Sequence, residues 1–184
     1  MNPAQPSSAA PWKCTLEAVP PSAGFGYDHA VVEVDIRPAI PSDENGLTRL
    51  RHALWPEGSL AEHQREIKAI LNGEWLGTMP LTILVAEADD HTLIGFLEIG
   101  LRSHAEGCEP SCPVAYVEGW YVVESRRGEG VGKRLMAGAE AWARARNCRE
   151  LASDSQIDNQ VSQRAHMALG FEEVERSINY RKVL

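Results

Sequence analysis

An apolar run ends at Tyr121-Val122-Val123. Glu124-Ser125-Arg126-Arg127-Gly128-Glu129-Gly130 then turns the chain, and Val131 opens an Ala-rich stretch that lasts to Asn147. A strand that feeds a helix through a glycine-rich turn belongs to a sheet with helices packed on it. The same turn favours an anion. Glycines let a ligand approach the backbone, the first N–H groups of the helix lack intrahelical partners, and the helix dipole attracts negative charge. Arg126, Arg127, Lys133 and Arg134 concentrate positive charge there. The competing reading is a solvated turn with arginines in water.

The rest of the chain has the opposite sign. Lys and Arg number 18 against 26 Asp and Glu, a formal charge of −8. General nucleic-acid binding needs a basic face to displace counterions, so that class is excluded. A cationic partner fits better. No apolar run approaches the roughly 20 residues of a bilayer-spanning helix, so no membrane partner is expected. A length of 184 residues suits one domain. Residues 1–33 hold five of the eleven prolines and four charged residues (Lys13, Glu17, Asp28, Glu33), without apolar periodicity. They are expected to form a loosely ordered extension ahead of a domain over 34–184. A secretory signal would need a basic start and an apolar core. Neither is present, so a cytoplasmic location is expected.

Within the domain the pattern alternates. Val32–Arg37 reads as a strand. Leu47, Leu50 and Leu54 make a helix face over 42–54. Ser59-Leu60-Ala61-Glu62 is a capping box, followed by Ile67, Ile70 and Leu71 on one face and Gly73 as a stop. Leu81–Ala88 and Thr92–Leu101 predict a hairpin about Asp89-Asp90, and Val114–Val123 a long strand. A helix over 130–147 buries Val131, Leu135, Ala139, Trp142 and Ala143. A short strand (149–154), a helix (158–169) closed by Gly170 and a final strand (171–184) complete the order β-α-α-β-β-β-α-β-α-β. This is an α/β fold with a mixed sheet and helices on both faces.

Two phosphate motifs fail. A P-loop needs a glycine five before Gly132, where Arg127 stands, and Ser or Thr after Lys133, where Arg134 stands. Gly128, Gly130 and Gly132 are evenly spaced, unlike a dinucleotide fingerprint. Cys108 and Cys112 have no second ligand pair, and no HExxH pattern occurs, so no metal is expected.

What remains, Arg127-x-x-Gly130-x-Gly132, resembles the pyrophosphate loop of the GNAT superfamily of acetyl-CoA-dependent N-acetyltransferases. Asn159 near the start of the next helix and Leu169-Gly170-Phe171 at its end stand where that superfamily has a cofactor-contacting Asn and a closing Leu-Gly-Phe. The resemblance implies a largely antiparallel central sheet. Leu54-Trp55-Pro56, Val117-Glu118-Gly119, Ala152-Ser153-Asp154 and Gly170-Phe171-Glu172-Glu173-Val174-Glu175 are similar to one branch, the aminoglycoside 6′-N-acetyltransferases. That similarity covers roughly residues 34–184.

By this resemblance Trp55, Glu118, Asp154 and Glu175 line an aminoglycoside pocket. His104 stands in a loop where the family often has a Tyr. Acetyl-CoA lies along Trp120, Tyr121, Val122, Arg127, Gly128, Glu129, Gly130, Val131, Gly132, Lys133 and Asn159. The superfamily uses a backbone N–H as oxyanion donor, here expected at Val122, and His166 stands where many members place a Tyr acid. A homodimer is also implied. Trp120 departs from the pattern, being bulkier than the usual aliphatic residue.

The chemistry agrees with this assignment. Ammonium groups select carboxylates through charge-assisted hydrogen bonds. An alkylammonium has a pKa of about 10.4 in water and must lose a proton before it attacks. Glu118, inside an apolar strand, is the expected base. The amine attacks directly in a ternary complex, so no Ser or Cys nucleophile is needed. Blander readings stay open: solvated acids, a core Trp55, a packed His166. Two rival functions remain as well, a GNAT enzyme for another amine and a non-catalytic CoA-binding module.

Overall fold

The computed structural model describes residues 34–74 and 79–183. The expected extension over 1–33 lies outside them. Nine elements follow in chain order: β1 (Asp35–Pro38), α1 (Glu44–Leu54), α2 (Leu60–Leu71), β2 (Leu81–Glu87), β3 (Leu93–Arg102), β4 (Val114–Val122), α3 (Val131–Arg144), β5 (Leu151–Ser153) and α4 (Gln160–Ala168). The strands form one sheet in the order β1-β2-β3-β4-β5. The first four pair antiparallel, while β5 runs parallel to β4 after the α3 crossover.

Alternation along the strands divides the core in two. Phe96 points to one face and packs with Val85, Leu47, Leu50 and Ile67 of α1 and α2. Leu97 and Ile99 point to the other and meet Val131, Leu135 and Ala139 of α3. Ser59 caps α2, its hydroxyl accepting from the Glu62 N–H while the Glu62 carboxylate accepts from the Ser59 N–H. Such a cap contributes about 1 kcal/mol. Trp142 is half-buried on α3, with the Arg146 guanidinium 3.8 Å from its ring centroid.

The β3–β4 register carries the feature that builds the site. Glu98 pairs with Gly119, but Ile99 pairs with Val117, so Glu118 is an extra residue on β4. This bulge breaks the alternation. Glu118 and Gly119 both face the α1 side, where regular pairing would send one of them to α3. β4 also pairs with β5 only over Ala115, Tyr116 and Val117. Beyond the bulge, no strand among the described residues lies beside its outer edge.

The last expected strand is corrected. Phe171 to Val183 has no regular secondary structure. The apolar residues are there, but a strand needs a ladder partner, and this segment finds none among the described residues. Val174 instead lies against the β3–β4 loop, 2.7 Å from where a Cβ on Gly107 would stand.

Candidate functional site

The turn before α3 has the conformation that its glycines permit. Gly128 has φ 83° and Gly130 φ 81°, the left-handed region. A Cβ at either would meet nothing within 4 Å, so open space lies over the helix N-terminus. Gly130 is the N-cap of α3. Arg127 folds back, its Nε donating to the Val122 carbonyl at 3.0 Å, and Arg126 pairs with Glu129 at 2.7 Å. Lys133 is exposed on the first turn of α3.

The free edge of β4 runs up to this turn. The Val123 N–H donates to the Ile94 carbonyl of β3 at 2.9 Å. Backbone groups alternate sides along a strand, so those of Val122 and Trp120 face away from β3, toward the edge that β5 has left. Those of Tyr121 face β3. The Trp120 ring fills part of the gap, 2.8 Å from where a Cβ on Gly132 would stand and perpendicular to His166 at 5.4 Å. Its Nε1 is buried and has no hydrogen-bond partner among the described residues. A cradle of glycines, helix N–H groups, an open strand edge and an orphan donor fit an extended, anionic ligand such as CoA.

His166 stands in the same gap. Its Nδ1 is 2.8 Å from the Ser162 carbonyl and its Nε2 is 3.0 Å from the Ser153 hydroxyl. The carbonyl can only accept, so Nδ1 donates to it, while the Ser153 hydroxyl beside Nε2 also lies 3.4 Å from the Val117 carbonyl, to which it can donate. Asn159 is the N-cap of α4, its Oδ1 accepting from the Ser162 N–H at 3.0 Å.

On the α1 face, the bulge opens into a cleft of about 580 Å³ lined by Trp55, Glu118, Arg102, His104, Arg51 and Glu98, among others. Trp55 follows the last turn of α1 and packs the edge of its six-membered ring against Gly119, where a Cβ would be 2.4 Å from the indole. The Arg51 guanidinium stands 5.0 Å from the same ring. Glu98 is buried beneath them, 2.6 Å from Arg51 Nε but out of line for a hydrogen bond. Burial pushes its carboxyl up to about 7 against the pull of Arg51.

Glu118 is held by Arg102, whose Nε donates to Oε1 at 2.9 Å and Nη2 to Oε2 at 2.5 Å. The Arg102 guanidinium stacks on Tyr116 at 3.4 Å, and the Tyr116 hydroxyl donates to Asp154 Oδ1 at 2.8 Å. Burial and this bond to Asp154 push the Tyr116 hydroxyl far above its usual range. The expected acceptor residues Trp55, His104 and Glu118 therefore share one cleft, with Asp154 tied to it through Tyr116. Glu175 does not join them. It is exposed on the segment after α4.

Sequence reasoning missed Arg51, Glu98, Arg102 and Tyr116. Glu98 did carry a signal, a lone carboxylate in an apolar strand, as Glu118 did. Arg102 carried none, because its partner is 16 residues away across a loop.

The chain matches the acetyltransferase (GNAT) family over residues 47–171. It is 44% identical over 149 residues to an aminoglycoside N(6′)-acetyltransferase type 1 of Klebsiella aerogenes, covering 81% of this chain and 96% of that one. A relative of the same name from Stenotrophomonas maltophilia is 38% identical over 150 residues, covering 81% and 93%. Among solved structures, AAC(6′)-Iy in complex with the bisubstrate analogue CoA-S-monomethyl-acetylneamine superposes with a TM-score of 0.74 at 37% identity, covering 83% of this chain and 99% of that one. AAC(6′)-Ih from Acinetobacter baumannii superposes with a TM-score of 0.73 at 31% identity, with coverage of 83% and 99%.

Proposed function

As this chain belongs to the acetyltransferase (GNAT) family, we propose that it transfers acetyl from acetyl-CoA to the 6′-amine of aminoglycosides and so confers resistance to them. One observation carries the reading. The β4 bulge gives a single strand two working faces, with Glu118 in the cleft and the Val122 N–H on the open edge.

Acetyl-CoA, as co-substrate, supplies the thioester. The glycine turn from Gly128 to Lys133 holds its pyrophosphate, and the edge of β4 from Trp120 to Val122 runs beside its arm. Glu118 accepts the ammonium proton, directly or through water, so the nitrogen lone pair is free to attack. The Val122 N–H stabilises negative charge on the acyl oxygen. The C–N bond forms, the C–S bond breaks, and the thiolate takes a proton. His166 serves that last step only by giving up its bond to Ser153 and protonating at Nε2. Trp55 supports a sugar ring and Asp154 takes a further ammonium group, while Glu175, outside the cleft of its own chain, does so only from a second copy of the chain. The proposal includes a cytoplasmic homodimer and no metal.

The test is regiochemical. Kanamycin-type drugs with a 6′-amine are expected to be acetylated on that nitrogen. Paromomycin-type drugs with a 6′-hydroxyl should react at least about a hundredfold more slowly, a barrier difference of about 2.7 kcal/mol. Mass spectrometry and NMR of the product read this out. Equal rates, or an acetyl group on another ring, would overturn the assignment. Exclusive turnover of a polyamine or peptide amine would move the enzyme to another acceptor class.

A further inference from the structure

A cleft for polycations is expected to be bare and acidic, and this one is not. Its two carboxyl groups, Glu98 and Glu118, are each faced by a guanidinium of the protein's own, Arg51 and Arg102. The two pairs differ in kind. Arg51 and Glu98 are 11% and 3% exposed, and Arg51 also reaches Glu66 at 2.6 Å. Breaking that pair would leave a buried charge unpaired, which is strongly destabilising. Arg102 and Glu118 are 44% and 30% exposed. Exposed pairs of this sort are weak and easily broken. Arg102 can swing into water without stranding a charge.

Glu118 is thus already occupied by a cation of the protein's own. The guanidinium binds both carboxylate oxygens and stacks on Tyr116, the residue that ties down Asp154. A substrate ammonium reaching Glu118 must take the place of that guanidinium.

We propose that Arg102 is an affinity- and specificity-determining residue, an internal counterion that holds Glu118 in the empty cleft and yields it to the incoming ammonium. Only a ligand that carries its own cation to Glu118 repays the exchange. Neutral sugars meet a carboxylate already satisfied. Glu118 becomes free to accept a proton only when an amine has arrived. The inference rests on the proposed function, since it needs an amine acceptor in this cleft.

The test reads equilibrium binding, apart from turnover. A kanamycin-type drug is titrated calorimetrically into the CoA-saturated protein. Arg102→Gln is expected to tighten drug binding about threefold, in keeping with an exposed ion pair. Arg102→Lys should change it less, because Lys keeps the charge but not the two-pronged fork. In the Glu118→Gln background, Arg102→Gln should have almost no effect, because nothing remains to be released. A folding defect would not tighten binding. Unchanged or weaker binding in Arg102→Gln overturns the inference while wild-type turnover leaves the enzymatic reading intact. Equal tightening in the Glu118→Gln background overturns it too, reducing Arg102 to a general repulsive charge. A wild-type protein that binds and acetylates no aminoglycoside removes both readings.

Discussion

Gly119 has no side chain because the Trp55 indole takes its place, 2.4 Å from where a Cβ would stand. The strand, the bulge and the tryptophan are one arrangement, so Trp55 is both core and cleft wall. It also packs edge-on to Phe96 at 6.2 Å. Gly130 is different. The space around it is empty, and its φ of 81° costs a side chain strain but no clash. Asp adopts this conformation more readily than most residues, so Gly130→Asp should fold. Its carboxylate would stand where a pyrophosphate binds, adding bulk and like charge. CoA affinity by calorimetry should fall at least about tenfold, or 1.4 kcal/mol. Unchanged affinity in the folded variant would take the turn out of the cofactor site. At this scale the sequence was readable where a residue breaks its local pattern. Glu118 stands out as a charge among apolar neighbours. Arg102 does not, because its meaning lies in a partner that only the fold supplies.

Elements were legible where their stabilisation is local. The α2 capping box and the glycine turn appear where the spacing put them, because side chains a few residues apart make those contacts. The final strand failed because its existence depends on a ladder partner, and the described residues offer none. The bulge was invisible, since register is set by two strands together. The entry to α1 shows a further contact of this non-local kind. Asp43 is buried, accepts from Arg37 at 2.7 and 3.0 Å and from the Ile40 N–H at 2.8 Å, and so ties β1 to the helix. Burial raises its carboxyl, but the Arg37 and Ile40 bonds outweigh this and hold it below the usual 3.8. The folded state therefore binds this proton less readily than the unfolded chain. The stabilisation is fully present well above pH 3.8 and is lost as the pH falls through the depressed value. Asp43→Asn should be less stable by about 2 kcal/mol near neutrality, as for a lost charge-assisted bond. Denaturant titrations across pH should show the gap narrowing below pH 3.8. A gap that stays constant down to acid denaturation would mean that the ion pair does not stabilise the fold.

The whole molecule leaves two features unanswered within one chain. β5 is the last strand of the sheet, and Val174, Ile178, Tyr180 and Val183 are 63 to 90% exposed on the segment behind it. Large apolar side chains grouped on an irregular segment mark an interaction surface. An uncovered strand edge invites the same kind of partner. The proposed second copy would answer both, because each chain would then offer the segment that the other's edge lacks. It also bears on Glu175, which stands on this segment and outside the cleft of its own chain. Light scattering during gel filtration should give twice the 20.2 kDa of one chain. Removing residues 172–184 should give a monomer, and the aminoglycoside KM should rise while the acetyl-CoA KM holds, since the cofactor elements end before the deletion. Glu175→Gln in the full-length protein should reproduce part of that KM rise without changing the mass. A monomer at assay concentration in the intact protein would overturn the dimer, and an unchanged drug KM in Glu175→Gln would separate Glu175 from the acceptor site.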